Sequence, residues 1–411
     1  MRIYRLKNMT MSYAWGSSDG LSRVLSLPNP SGGPLAELWM GAHPKAPSLV
    51  LMPEGPRRLD ELIKADPLGT LGAPCMAHFG PALPFLFKAL SAAKPLSIQV
   101  HPAKRKAERG YEKERESGIL DDAENRNYKD PNHKPELSVA LTSFEALCGF
   151  RPIDKIIEAM KILAPEDHRR FFGRLEKAPG RIELSVFFYS LMTQPLEERR
   201  TMVEGTARRI EAQIETGRVP EAEIAAWRWV RKLAALWPGD IGALSPLIFN
   251  YLTLEPGQAI FIAPAEPHAY LAGTALEIMA NSDNVIRGAL TEKHIDVPEF
   301  ISVLSFQSGK PPLLAPVMGE DEEEVFPCPV ADFSLARIGV TKPSTRKVEG
   351  PEILLCGEGQ VEIESEGGKL VLARGESAFV RADARSFSVS GNGLVWRART
   401  VSSALPGANR G

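Results

Sequence analysis

The chain has 411 residues, 44% hydrophobic and 24% charged, with Lys+Arg 49 against Asp+Glu 51 for a net charge of -2. This is the make-up of a globular chain long enough to bury several cores, and it excludes a disordered or fibrous protein. The balanced charge excludes a general polyanion binder, so no nucleic-acid partner is expected and any anionic ligand must meet local positive charge.

Cys75, Cys148, Cys328 and Cys356 lie far apart and form no CxxC, which reads as reduced thiols in a cytoplasmic protein. The N-terminal stretch lacks the long apolar core of a signal peptide, and no run of 18 apolar residues occurs anywhere. No membrane partner is therefore expected.

Residues 1–150 are rich in Gly, Pro and short apolar runs such as LPFLFKAL at 83–90 and PLSIQV at 95–100, which predict strands and loops. At Ile153 the texture changes. IDKIIEAMKILA, IELSVFFYSLM, LEERRTMVEGTARRIEAQIE and EAEIAAWRWVRKLAALW space apolar residues at three and four, predicting amphipathic helices over 151–244. Pro195 and Pro220 sit near the starts of two of them, and Thr193, Gly217 and Gly239 mark breaks.

Strand texture returns with LIFNYLTL, AIFIA and HAYLAGTALEIM, so 245–310 should close the unit that the helices interrupt. The acidic run Glu320–Glu324 reads as a solvated loop. From about Ala331 to Arg399, short strands and frequent glycines predict a further barrel or sandwich within 311–411. The expected organisation is thus a discontinuous β unit (1–150 and 245–310), a helical domain (151–244) and a C-terminal barrel (311–411). PGQAIFIAPAEPH places His268 eleven residues after Gly257, and RGESAFVRADARS places Ser386 eleven residues after Gly375. This internal echo suggests two related barrels, of which only the first keeps a histidine.

Gln99 and His101 lie two apart on a predicted strand, where side chains share a face and can meet one metal ion. NYKDPNHKPE at 127–136 is a charged, proline-stiffened loop carrying His133, Lys134 and Glu136; a solvated turn would read the same way. If Glu136 points inward it needs a cation, because an unpaired buried carboxylate is costly. A lone histidine such as His268 is more often a satisfied core residue. With Gln99, His101 and Glu136, though, it completes a cage of one amide, two imidazoles and one carboxylate. Glu277 interrupts an apolar run, so it is either paired or poised for acid–base work. Arg287 can fork onto a phosphate, stabilise an oxyanion or make a structural ion pair.

YAWGS at 13–17, AELWMGAHP at 36–44, LPFLFKALSAAKPLSIQVHP at 83–102, NYKDPNHKPEL at 127–137, FEALCGFRP at 144–152 and PHAYLAGTALEIMANSDNVIRGALT at 267–291 resemble the type I phosphomannose isomerase family. The resemblance implies a mainly β fold with a helical insert: two cupin-type (jelly-roll) β-barrels plus an α-helical domain. It implies one Zn²⁺ per chain on Gln99, His101, Glu136 and His268, with no metal in the C-terminal barrel. It places the active-site arginine on Arg287, the lysine on Lys134 and an acid on Glu277, with Lys88 and Ser97 as phosphate contacts. The implied activity is interconversion of mannose 6-phosphate and fructose 6-phosphate through a cis-enediol, feeding GDP-mannose metabolism, in a chain that could act as a monomer. Glu277 is the favoured proton carrier, with Lys134 and His133 as alternatives. Ala263 and Ala265 stand where the general cupin signature has Pro and Gly, which should alter the loop only slightly. Two other classes stay open. His101, Glu136 and His268 alone would suit a non-haem Fe²⁺ oxygenase, although Gln99 fills a position oxygen would need. A non-catalytic sugar-phosphate-binding cupin is the other.

Overall fold

Extended apolar runs cannot satisfy their own backbone polar groups, so each needs a neighbour. In the computed structural model of the chain, which describes residues 2–163, 169–319 and 322–401, they find neighbours in two large sheets. The first has ten strands and turns about one long strand, His268–Ala280. The N-terminal part of that strand pairs with Phe144–Phe150 and, through His268, with Gln99. Its C-terminal part lies between Phe85–Ala92 and Glu136–Ala140. One strand thus belongs to both walls, as in a sheet rolled on itself.

The change of wall happens at a bulge. Tyr270 faces Ala146 and Ala272 faces Glu145, so two residues oppose one and Leu271 is extra. Strict alternation would put His268 and Glu277 on opposite faces. The inserted residue resets the alternation and bends the strand, and Tyr270 and Glu277 meet inside at 2.8 Å. Gly273 completes the bend at φ 106, where a Cβ would lie 2.4 Å from the Ser143 carbonyl oxygen.

The helices Ile153–Leu163, Arg169–Lys177, Arg181–Met192, Leu196–Glu215 and Ile224–Leu236 follow in the predicted order. Ala164, at the end of the first predicted run, lies outside the described residues. Their apolar stripes bury Ile156, Leu184, Val203, Trp227 and Leu233 in one core with Phe150, Phe249 and Phe300 of the β unit. Among the described residues no helix is long and apolar enough to cross a membrane.

The second sheet has eleven strands and draws on both ends of the chain. Ile3–Lys7 pairs with Ser377–Val380 and with Leu49–Met52, which in turn pairs with Gly55–Arg58. The sequence reading placed these three N-terminal strands in the first barrel. Their backbone hydrogen bonds put them in the C-terminal sheet, because local pattern specifies a strand but not its distant partner.

The internal echo is visible in the backbone. Gly257 (φ 88) and Gly375 (φ 84) make equivalent turns, each before a four-residue strand and then a long one beginning at His268 or Ser386. Ser386 is exposed, and the C-terminal sheet carries an ionic cluster. Arg397 forks onto Glu352 at 2.7 and 2.6 Å and also pairs with Glu323, which Arg346 approaches at 3.2 Å.

This corrects the reading of the acidic run as solvated at Glu323 and Glu324, whereas Glu322 is exposed. Glu323 is only 2% exposed, and Glu324 forks onto Arg337 at 2.6 and 3.0 Å; Glu320 and Asp321 lie outside the described residues. The distant arginines that neutralise the run are invisible to local charge counting. Replacing Glu323 with Gln would leave Arg397 and Arg346 under-compensated in the interior. It should lower stability by about 3–5 kcal/mol in denaturant unfolding; a loss below about 1 kcal/mol would show that the pair is effectively solvated.

Candidate metal centre

Register places the polar side chains in two cross-strand rows. In one wall Trp39, Lys88, Glu277 and Ser138 are successive partners. In the other the row runs Arg287, Gln99, His268, Cys148. Glu136 stands two residues before Ser138 and His101 two after Gln99, so alternation turns both toward the same interior.

His101, Glu136 and His268 come together there with ligand atoms within 4.8 Å of one another, each at most 1% exposed. Nε2 of His101 lies 3.2 Å from Glu136 Oε1, and Nε2 of His268 lies 3.5 Å from Oε2. The other ring nitrogens are tied back. Nδ1 of His101 is 2.6 Å from the Asn284 carbonyl oxygen, and Nδ1 of His268 is 3.1 Å from that of Glu266. A carbonyl only accepts, so each Nδ1 carries the proton and each Nε2 offers a lone pair to the centre.

Ala265 sits at φ 71 in the turn that delivers His268, and its N–H donates to the His101 carbonyl at 2.7 Å. The left-handed turn thus survives without glycine, at a cost of roughly 1–2 kcal/mol. Gln99 is the fourth member: its amide nitrogen is 3.1 Å from His268 Nε2. Amide ends are assigned rather than seen, and a half-turn presents the oxygen instead.

Burial, and next the Lys134 charge, push the His101 imidazole down to about 3, so it stays neutral near pH 7. Burial alone would raise Glu136, but Lys134 and His101 outweigh it and hold the carboxyl well below its ordinary range. Two imidazole Nε2 atoms, an anionic carboxylate and an amide oxygen suit a divalent cation such as Zn²⁺. Lys134 already places its ammonium 2.6 Å from Glu136 Oε1 and 3.5 Å from His101 Nε2.

The remaining predicted residues divide. Glu277 is 3% exposed, accepts from Tyr270 Oη at 2.8 Å and from Lys88 Nζ at 3.1 Å, and is raised by burial and by Glu136. Tyr270 lies 3.4 Å from Glu136 and so links Glu277 to the cage. Lys88 does not present a free charge. It bonds to Glu277, lies 3.9 Å from Glu37 and packs over the Trp39 ring at 5.1 Å. Burial would lower its pKa, but Glu37 and Glu277 raise it above the ordinary value.

His133 turns away from the ligands, to Asp332 at 3.0 Å. Ser97 is half-buried just before the strand Ile98–Val100. Arg287 is half-buried, and among the described residues no hydrogen bond or ion pair engages its guanidinium. Lys293, which the sequence reading did not single out, stands near enough that burial and then Arg287 lower its pKa; its ammonium is likewise unpaired among the described residues. The signal for it was only a second cation six positions along the same loop.

A jelly-roll barrel with buried His, Glu and His donors beside a half-buried Gln, a helical insertion and a second barrel with no such cluster among the described residues defines a metal-binding cupin of two barrels. Residues 3–153 match the family described as phosphomannose isomerase type I, catalytic domain, and residues 322–399 match the mannose-6-phosphate isomerase cupin domain. The chain is 40% identical over 399 residues to the mannose-6-phosphate isomerase of Escherichia coli K12, covering 96% of this chain and 99% of that one. It is 33% identical to the mouse protein of that name, covering 93% and 94%. A crystal structure of mannose 6-phosphate isomerase from Salmonella typhimurium, bound to substrate and a zinc atom, is 39% identical. It covers 98% of this chain and 100% of that one with a TM-score of 0.88. The chain belongs to the type I phosphomannose isomerase family.

The electrostatics make a test in the metal-free protein. With His101 lowered from 6.5 to about 3, the unfolded chain binds the extra proton in that window, so stability must fall as pH drops below about 6.5. The slope should approach about 1.4 kcal/mol per pH unit. His101→Gln should flatten it in thermal unfolding at pH 7 and pH 5; an identical pH dependence in wild type and variant would refute the assignment.

Proposed function

We propose that this chain is a zinc-dependent isomerase that interconverts mannose 6-phosphate and fructose 6-phosphate. The observation that carries the reading is the buried cluster of His101, Glu136 and His268, with Gln99 against it, in a chain of this family. The oxygenase alternative is not favoured, since the relatives over the full chain are isomerases.

Aldose–ketose exchange moves a proton between C2 and C1 of the open sugar. Zinc, when bound to the cage, supplies Lewis acidity toward sugar oxygens. The unpaired pair Arg287 and Lys293 is suited to the dianionic phosphate, and it replaces Lys88 in that role because Lys88 is already neutralised. Ser97 immediately precedes the Ile98–Val100 strand, whose Gln99 pairs with Arg287. Glu277, raised by burial and by Glu136, is prepared to take and return the proton, with Tyr270 and Lys88 fixing its two oxygens. Lys134, 2.6 Å from Glu136, is the second reading for that role and otherwise orients the sugar at the cage.

In a coupled assay with mannose 6-phosphate, the chain should turn over, lose activity to a chelator and regain it with Zn²⁺. Turnover that persists after complete removal of metal would overturn the proposal. Arg287→Ala should raise KM roughly 10–100-fold with kcat little changed, as expected of a lost charge-assisted bond made equally in ground and transition states. A fall mainly in kcat would place Arg287 at the enediolate instead. Glu277→Gln should cut turnover and solvent exchange of the C2 proton by about 10²–10⁴-fold. If more than about a tenth of the wild-type rate remains, Lys134 takes the role.

A further inference from the structure

The loop carrying Lys134 and Glu136 and the loop before Arg287 are joined through one side chain. Asn284 is fully buried at 0% exposure. Its Oδ1 accepts from the N–H groups of Lys129 at 2.7 Å and Asp130 at 3.2 Å. Its Nδ2 donates to the carbonyls of Asp130 at 2.7 Å and Asn132 at 2.8 Å. These bonds use the full capacity of the amide, two acceptances and two donations. Asp130 answers from the other side, its carboxylate accepting from Ser282 Oγ at 2.8 Å and from the Asp283 N–H at 2.7 Å. The main-chain carbonyl of the same Asn284 accepts the Nδ1–H of His101 at 2.6 Å.

We infer that Asn284 is a positioning residue that couples the geometry of the metal cage to the loop bearing Lys134: its side chain clamps residues 129–132 while its carbonyl orients His101. The inference rests on the zinc reading above and goes beyond it, because Asn284 is not among the clustered donor residues. Lys134 and Glu136 follow the clamped stretch by two and four residues, and a proline on each side of His133–Lys134 transmits its position stiffly. A shift of Asn284 would therefore move one cage member by its imidazole and another by its backbone together. A side chain serving only loop stability would affect folding and leave metal affinity alone.

Asn284→Asp keeps the size and the acceptor but turns the donating end into an oxygen facing two carbonyls. In chelator competition on the metal-free full chain, this variant should bind Zn²⁺ about 10–100-fold more weakly than wild type, the usual effect of losing an outer partner of a ligand. Should it fail to fold, Ser282→Ala removes the hydroxyl that donates to Asp130 and accepts from the Asn284 N–H, leaves the Asn284 amide in place, and should still weaken Zn²⁺ binding at least threefold. Glu323→Gln, which perturbs stability in the other sheet, should leave Zn²⁺ affinity unchanged. Affinity within threefold of wild type in a folded Asn284→Asp, or equal weakening in Glu323→Gln, would overturn the inference. A wild-type chain that takes up no Zn²⁺ would overturn the metal reading, and the inference with it.

Discussion

A carboxylate that is 1% exposed, as Glu136 is, must meet positive charge or strong donors, since leaving it unpaired would cost several kcal/mol. Much of the first barrel can be understood as the answer to that demand. Lys134 contacts it directly, two imidazoles face it, and Tyr270 reaches it from the neighbouring strand. Carbonyls tie back the Nδ1 of both histidines, which leaves each Nε2 facing the carboxylate. The same buried charge raises Glu277, which Lys88 and in turn Glu37 then balance. The cluster and the buried Glu277 are therefore two ends of one charge network, and its low dielectric makes each member sensitive to the others.

Backbone irregularity makes that network possible. A regular His268–Ala280 strand could not present both His268 and Glu277 to the interior. The bulge at Leu271 and the bend at Gly273 allow it. A second irregularity between Arg287 and Ala289 accompanies the placement of Arg287 opposite Gln99. Ala265 holds a left-handed turn that glycine would hold more easily, beside the ligand it delivers. At the cage, side-chain aim is set by these irregularities and not by strand regularity.

The two barrels resolve the same architectural problem differently. Equivalent glycine turns lead into equivalent long strands, one beginning with a ligand and one with an exposed serine. Where the first sheet converges imidazoles and carboxylates, the second pairs Arg397 and Arg346 with Glu352 and Glu323. That cluster satisfies its own charges in place, whereas the cage donors leave their Nε2 lone pairs directed at one another's neighbourhood. The N-terminal strand Ile3–Lys7 pairs within the second sheet, so the chain enters that sheet before it builds the first.

Composition, periodicity and turn residues sufficed to separate β regions from the helices after Ile153, because apolar spacing is a local property. Spacing of two on a strand was enough to put Gln99 beside His101, and the residue types were enough to suggest a metal. Motif resemblance supplied the activity. What the sequence could not contain was any partner set by the roll of the sheet. Lys88 looked like a free cation until its register neighbour proved to be Glu277. His133 looked available until Asp332, 199 residues away, accepted it. Glu323 looked solvated until two arginines from distant strands closed over it. Lys293 gained its meaning only from the unpaired Arg287 beside it. Residue identity and local period decide which groups can react or fold into an element. The long-range pairing of strands decides which charges cancel and which remain to do chemistry, since Coulomb and hydrogen-bond energies depend on distance in space and not along the chain.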